Sequence, residues 1–195
     1  KIPCVVDLRG ADPVPEHDSN GEFIFLVAEI YRHSRDRELI EEMWPRVRDA
    51  AAYLDGLRQE RRTEEYSRPE NRRYFGILPP SISHEGYSAK PMHSYWDDFF
   101  ALRGFIDAAF LAHELGLTED ARELDAWADE FATDLGASVG AAMADHEIDY
   151  VPGCADLGDF DALQHTALGG ELGLPALDVG DVDGVGLGDE AVDRR

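Results

Sequence analysis

Residues 95–145 read YWDDFFALRGFIDAAFLAHELGLTEDARELDAWADEFATDLGASVGAAMAD, and this stretch decides the fold. Apolar residues recur at spacings of three and four on both sides of Gly116, which predicts helices over residues 95–115 and 118–145. Gly116 is a typical C-terminal stop for the first helix, and Thr118 followed by acidic residues is a typical start for the second. The short link between them predicts an antiparallel helical hairpin.

A second helical hairpin is predicted earlier in the chain. Its helices cover residues 21–33, which are apolar on nearly every side, and 36–59, where Pro45 is expected to kink or restart the helix. Aligning Trp44 with Trp127, an offset of 83 residues, brings the short links of the two hairpins into register. No strand of comparable quality is present. The sequence therefore predicts an all-α fold in which antiparallel helical hairpins form part of an (α/α) toroid.

Composition excludes several classes of partner. The chain has 195 residues and a net charge of −23, so it would repel the phosphates of nucleic acids and anionic membrane surfaces. Its apolar runs are far shorter than the ~20 residues of a membrane-spanning helix. The start of the chain lacks the charged-then-apolar pattern of a signal peptide, which favours a cytoplasmic location. Cys4 and Cys154 match no metal-binding spacing, and a single bridge between them is left open.

Two regions of different character are predicted within the chain. Residues 1–160 contain every aromatic side chain and form one domain, which resembles part of a larger helical barrel. Residues 161–195 contain no Phe, Tyr or Trp and are rich in Gly and Asp. Such a segment buries too little apolar surface to offset the entropy of ordering it. We therefore expect a non-globular, disordered tail.

The connection between the two hairpins contains the candidate site. Its first half, from Arg58, is highly charged and is predicted to be a solvated helix extension or surface loop. From Tyr74 it reads YFGILPPSISHEGYSAKPMHSYWDD, and a long connection rich in aromatic, His, Ser, Gly and Pro residues is typical of a binding site. Asp97 and Asp98 end this stretch, where they either serve the site or only cap the following helix.

Glycoside cleavage is the chemistry that this combination of residues suggests. It needs two carboxyl groups, one of which is kept protonated, and flat aromatic faces that pack against sugar rings. Asp97 and Glu85 are the candidate catalytic carboxyl groups. Candidate substrate-binding residues occur within and after the connection: His84, Tyr87 and His93; Tyr95, Trp96, Asp98 and Arg103.

Three segments carry a resemblance to a known family. PVPEHDSNGEF, FGILPPSISHEGYSAKPMHSYWDDFFALRG and YVPGCADLGDFDA resemble parts of bacterial glycoside hydrolases with the six-hairpin (α/α)6-barrel fold. In trehalase-like and related inverting α-glucosidases of this group, a Trp-Asp pair before a barrel helix carries the general acid. The resemblance implies that Asp97 is the proton donor, that Asp98 and Arg103 orient it or bind sugar hydroxyls, and that Tyr95 and Trp96 stack on the sugar. It also implies that Asp18 and Asn20 form hydrogen bonds to the sugar at the rim of the site, with N-capping of the first helix as an equally favoured alternative.

The chain departs from the family pattern in its length. A complete barrel has six hairpins, whereas this sequence predicts two, so the chain is expected to form a partial barrel. Helix faces that further hairpins would cover are then expected to be exposed and to favour self-association. No cofactor and no metal site are expected. The stretch 153–161 is predicted to be a solvated acidic loop, the alternative being that one of its acids reaches Asp97. The rival function is a helical-hairpin repeat module that binds a protein partner.

Overall fold

The computed structural model describes residues 1–3, 5–8, 10–11, 14, 16–82 and 90–158. Within these residues the chain is mostly helical, which confirms the all-α character predicted from the sequence. The predicted tail, residues 161–195, lies outside the described residues, as do Cys4 and the segment 83–89. That segment contains three of the candidate site residues, His84, Glu85 and Tyr87.

Four long helices form the body of the molecule, and they confirm the four predicted helices to within three residues at each end. A strand pair, β1 (Val6–Asp7) and β2 (Gly10–Ala11), precedes them. The remaining elements, in chain order, are α1 (Asp18–Ser34), α2 (Arg37–Gln59), α3 (Glu64–Ser67), a 3-10 helix (Pro69–Tyr74), α4 (Tyr95–Leu115) and α5 (Thr118–His146). Helix α2 continues through Pro45 instead of restarting there. Among the described residues, no helix is long and apolar enough to cross a membrane.

Helices α1 and α4 pack against each other backbone to backbone. A Cβ atom on Gly21 would lie 2.1 Å from the carbonyl oxygen of Phe100, and one on Gly104 would lie 2.9 Å from the Cα atom of Gly21. Farther along, the Tyr31 hydroxyl donates a hydrogen bond of 2.7 Å to Glu114. Contacts thus advance in the same direction along both helices. Because the two glycines allow this close approach, the N-terminal ends of α1 and α4 lie side by side.

Helices α2 and α5 are joined by arginine side chains. Arg48 on α2 contacts Asp120 on α5. Near the end of α2, Arg58 contacts Glu130, and just beyond that end Arg62 contacts Asp134. The Arg58 side chain is 0% exposed. The prediction that the charged segment beginning at Arg58 is solvated is therefore wrong for Arg58, because acidic side chains of α2 and α5 supply the partners that its burial requires.

The core lies between the helices and is built from aliphatic and aromatic side chains. Phe105 of α4 and Phe131 of α5 are both fully buried and meet edge to face, with ring centroids 5.7 Å apart. Ile24 of α1 and Leu54 of α2 are also 0% exposed. Gly116 ends α4, as predicted from the sequence, and has a positive φ of +77°. Its backbone N–H donates a hydrogen bond of 3.0 Å to the carbonyl of His113.

Candidate functional site

A cluster of buried polar residues occupies the place where α1 and α4 begin. Helix α1 begins at Asp18, and Glu16 and His17 directly precede it. The first turn of α4 contains Asp97 and Asp98. Each of these five residues is less than a tenth exposed. Buried ionisable groups are uncommon unless they are paired, so this cluster is the strongest candidate site among the described residues.

Asp97 is the most unusual of these residues. It is 1% exposed, its Oδ2 atom accepts a hydrogen bond from the backbone N–H of His17 at 3.4 Å, and its Oδ1 atom has no partner. Burial raises the pKa of the Asp97 carboxyl to about 8, and the nearby charges of Asp18 and Glu16 act in the same direction. The Ser81 hydroxyl and the His17 backbone N–H act in the opposite direction but are outweighed. At pH 7 the Asp97 carboxyl therefore holds its proton.

Asp98 is buried in a similar way but is tied to a different segment. Its Oδ1 atom accepts a hydrogen bond from the backbone N–H of Leu78 at 2.9 Å, and its Oδ2 atom has no partner. Burial raises the pKa of the Asp98 carboxyl, and the charge of Asp97 contributes to the increase. Neither carboxyl accepts a hydrogen bond from the first turn of α4, whose N-cap residue is Ser94. Both aspartates therefore make tertiary contacts in addition to holding first-turn positions that complement the helix dipole.

Asp18 and Asn20 make contacts that fix the start of the chain and the position of Trp96. The indole Nε1–H of Trp96 donates to Asp18 Oδ2 at 3.0 Å, which holds a half-buried ring beside the cluster. Asn20 is 0% exposed and accepts a hydrogen bond from the backbone N–H of Ile2 at 2.8 Å. Neither side chain belongs to the N-cap residue of α1, which is His17 and makes no side-chain cap bond.

His93 is paired with an acid from the segment that follows α5. Its backbone N–H donates to Asp156 Oδ2 at 2.7 Å, and its ring Nδ1 lies 3.2 Å from the same oxygen. This contact lowers the pKa of the Asp156 carboxyl despite its partial burial. The segment is held in place because Ser94 and Cys154 form an antiparallel bridge. The prediction of a solvated acidic loop is therefore wrong for residues 153–156, where Cys154 and Ala155 are fully buried.

Tyr95 and Arg103 are engaged in contacts between helices. The Tyr95 ring is 1% exposed and belongs to the hydrophobic core, and its hydroxyl lies 2.9 Å from Ser138 Oγ on α5. Arg103 donates to Asp107 Oδ2 at 2.7 Å and to Glu29 Oε1 at 3.3 Å. Its guanidinium group thereby links α4 to α1. Of the two predicted aromatic residues that the structure describes, Tyr95 and Trp96, Trp96 keeps part of its surface exposed.

Sequence reasoning missed Glu16 and His17 of this cluster, and also Ser81, whose hydroxyl acts on the Asp97 carboxyl. Both ring nitrogens of His17 and the hydroxyl of Ser81 are buried without a hydrogen-bond partner. His17 directly precedes Asp18 within the PEHDSN segment, so its neighbourhood was a usable signal. Ser81 offered none, because its place depends on an antiparallel bridge to Met92. In the described part of the chain, no group of His, Cys, Asp and Glu side chains could hold a metal ion.

Comparison of the chain with protein-family models, with curated proteins and with solved structures found no match. The functional argument therefore depends on the geometry and electrostatics of the cluster around Asp97, together with the sequence segments that surround it.

The raised pKa of Asp97 predicts a loss of stability with increasing pH. The usual aspartate pKa is 3.8 and the folded-state value is about 8, so between these values the folded chain holds a proton that the unfolded chain releases. Stability then falls by about 1.4 kcal/mol per pH unit in this window and stops falling above pH 8. His17, whose pKa is lowered to about 4, contributes in the opposite direction only below pH 6.5.

Urea denaturation at pH values from 6.5 to 9 measures this effect. We expect the wild-type chain to lose about 2 kcal/mol relative to Asp97→Asn between pH 6.5 and 8, because the amide cannot titrate. The other titratable groups that face Asp97 are Glu16, His17, Asp18 and Asp98. Asp129→Asn, an exposed position on α5, is the matched control and should follow the wild type. Equal slopes for wild type and Asp97→Asn would contradict the prediction.

Proposed function

We propose that this chain is a carbohydrate-active domain of a glycoside hydrolase in which Asp97 is the general acid. The observation that carries the proposal is a buried carboxyl group that keeps its proton at neutral pH, next to a partly exposed indole ring. A general acid that protonates a glycosidic oxygen needs such a protonated carboxyl group. The Trp96-Asp97 pair is also the position to which the family resemblance assigns this role.

The packing of the helices supports the finer proposal of two neighbouring hairpins of an (α/α) toroid. Contacts advance in the same direction along α1 and α4, and also along α2 and α5. The contact between Tyr31 and Glu114 joins positions 83 residues apart, which equals the offset of the repeat seen in the sequence. Two equivalent hairpins packed side by side would give this pattern.

Each neighbour of Asp97 receives a role in this proposal. Trp96 provides a flat face for a sugar ring, and Asp18 fixes the orientation of that indole through its hydrogen bond. Asp98 is tied to the Leu78 backbone and so holds the first turn of α4 in place relative to the preceding segment. Glu85 keeps its role as the second carboxyl group as a prediction, because it lies outside the described residues. No cofactor is needed for this chemistry.

A second candidate function is suggested by the surface of α1. Leu26 and Ile30 are 56% and 42% exposed, and the half-buried Phe23 lies on the same side of the helix. Apolar side chains grouped on one exposed face favour contact with another protein or a second copy of the chain. This stripe supports the rival proposal of a helical-hairpin module that binds a protein partner.

Incubation of the chain with disaccharides tests the proposed function. We expect glucose to be released from trehalose or maltose, in a time course followed by the anomeric proton signals in NMR spectra, with cellobiose as the β-linked comparison. The rate should fall as the pH rises through about 8, because Asp97 then loses the proton that it must donate. A folded chain that releases no sugar from any of the three would contradict the proposal and favour protein binding.

A further inference from the structure

Three buried side chains beside one another have polar atoms without a hydrogen-bond partner. They are His17, with both ring nitrogens unpartnered, Ser81, with its hydroxyl, and Asp97, with its Oδ1 atom. Their exposed fractions are 4%, 0% and 1%. Such atoms are rare in folded proteins because burial removes their contacts with water. A ligand that supplied these hydrogen bonds would remove that cost.

The three residues come from different segments and are brought together by backbone contacts. The backbone N–H of His17 donates to Asp97 Oδ2 at 3.4 Å. Ser81 is held by a pair of backbone hydrogen bonds to Met92, at 2.9 and 3.0 Å, and its hydroxyl is close enough to Asp97 to lower the pKa of that carboxyl. The carbonyl of Pro80 lies near the His17 ring and favours its protonated form, although burial outweighs this influence.

The chemistry of the three groups indicates the kind of ligand. Burial and the charge of Lys1 lower the pKa of His17 to about 4, so at pH 7 its neutral ring has one N–H donor and one acceptor. A serine hydroxyl and a protonated carboxyl group also both donate and accept. A hydroxyl group matches this set, whereas an ammonium group only donates. A carboxylate or phosphate only accepts and would be repelled by Glu16 and Asp18.

We propose that His17 and Ser81 bind a hydroxyl group of a neutral sugar next to Asp97. The choice of a sugar rests on the proposed function, but the binding site does not depend on hydrolysis. Both residues would thus be specificity-determining: they would select a substrate that carries a hydroxyl group at the position facing α1 and the Ser81 segment.

Saturation-transfer NMR with three probes tests this site. Glucose, glucosamine and gluconate present similar hydroxyl groups with neutral, cationic and anionic character. We expect wild-type binding in the order glucose, glucosamine, gluconate, and at least about a tenfold weaker glucose affinity in His17→Phe and in Ser81→Ala. His33→Phe, which replaces an exposed histidine near the C-terminal end of α1, should bind glucose like the wild type.

Thermal unfolding of the same variants separates binding from a structural role. His17→Phe keeps the shape of the ring and Ser81→Ala keeps most of the side-chain volume, and both remove unpartnered buried atoms. We therefore expect melting temperatures equal to or above the wild-type value. Lower melting temperatures with unchanged glucose affinity would assign the residues to the fold and overturn the proposal. Wild-type chain that binds none of the probes, or prefers glucosamine, would also overturn it.

The proposed hydrolysis and this binding site fail in different ways. If glucose binding requires His17 but no disaccharide is cleaved, the proposed binding site is supported and the proposed hydrolysis is contradicted. If a disaccharide is cleaved with the same KM by the wild type, His17→Phe and Ser81→Ala, the proposed hydrolysis is supported and the proposed binding site is contradicted.

Discussion

Replacement of Asp97 by asparagine is expected to slow disaccharide hydrolysis by about 10²–10⁴-fold, because the amide cannot donate a proton to the departing oxygen. Glucosyl fluoride is the informative second substrate, since fluoride leaves without protonation. Its hydrolysis should therefore change far less in the variant. Initial rates of the wild type and Asp97→Asn on the disaccharide and on the fluoride measure the difference.

Asp98→Asn provides the matched comparison for this substitution. Asp98 is as deeply buried as Asp97, and an amide oxygen at this position can still accept the hydrogen bond from Leu78. We expect a smaller loss for Asp98→Asn, of similar size on both substrates. If Asp97→Asn also slowed both substrates equally, Asp97 would be a positioning residue. Unfolding of Asp97→Asn, detected by circular dichroism, would mean that the carboxyl group serves the fold.

Replacement of Arg58 by alanine should cost about 3–5 kcal/mol of unfolding free energy, the range typical of removing one partner from a buried charge cluster. Its guanidinium group donates to Asp55 at 2.8 Å and to Glu130 at 2.6 Å. The group also lies about 6 Å from the ring centroids of Phe105 and Phe131. Alanine would leave a cavity beside these rings and would remove a partner of Asp55, while Glu130 would keep its ion pair with Arg62.

Arg48 is the control that the chain itself offers for Arg58. It also extends from α2 to acids on α5, Asp120 and Glu123, but its side chain is 26% exposed. Because water can replace an exposed ion pair, Arg48→Ala should cost about 1 kcal/mol or less. Chemical denaturation of both variants measures the contrast. Equal costs would show that burial of Arg58 contributes little to stability.

The helices were predictable because their signals are local. Apolar spacing, the stop at Gly116 and the short links place all four long helices close to their observed bounds. The burial of Arg58 was not predictable, because a charged run such as RQERRTEEYSRPENRR is normally solvated. Asp55 is a local partner, but the second partner, Glu130 on α5, is 72 residues away in the chain.

The candidate site was predicted in part. Asp97 and Trp96 were chosen from the resemblance and from their position before a helix, and both lie in the buried cluster. Sequence reasoning could not decide whether Asp97 capped α4, because capping and catalytic carboxyl groups share the same sequence context. The hydrogen bond from the backbone of His17, which is 80 residues away, adds a tertiary contact that the sequence does not reveal.

The sequence by itself determined the all-α class, the helix bounds and the residues from which a site could be built. These properties depend on neighbours within a few positions along the chain, and such neighbours are visible in a sequence. Tertiary structure alone decided that Asp97 is protonated at neutral pH, that His17 is neutral and unpartnered, and that Tyr95 lies in the core. Those properties depend on the loss of water and on charges brought together from distant segments, which no local pattern records.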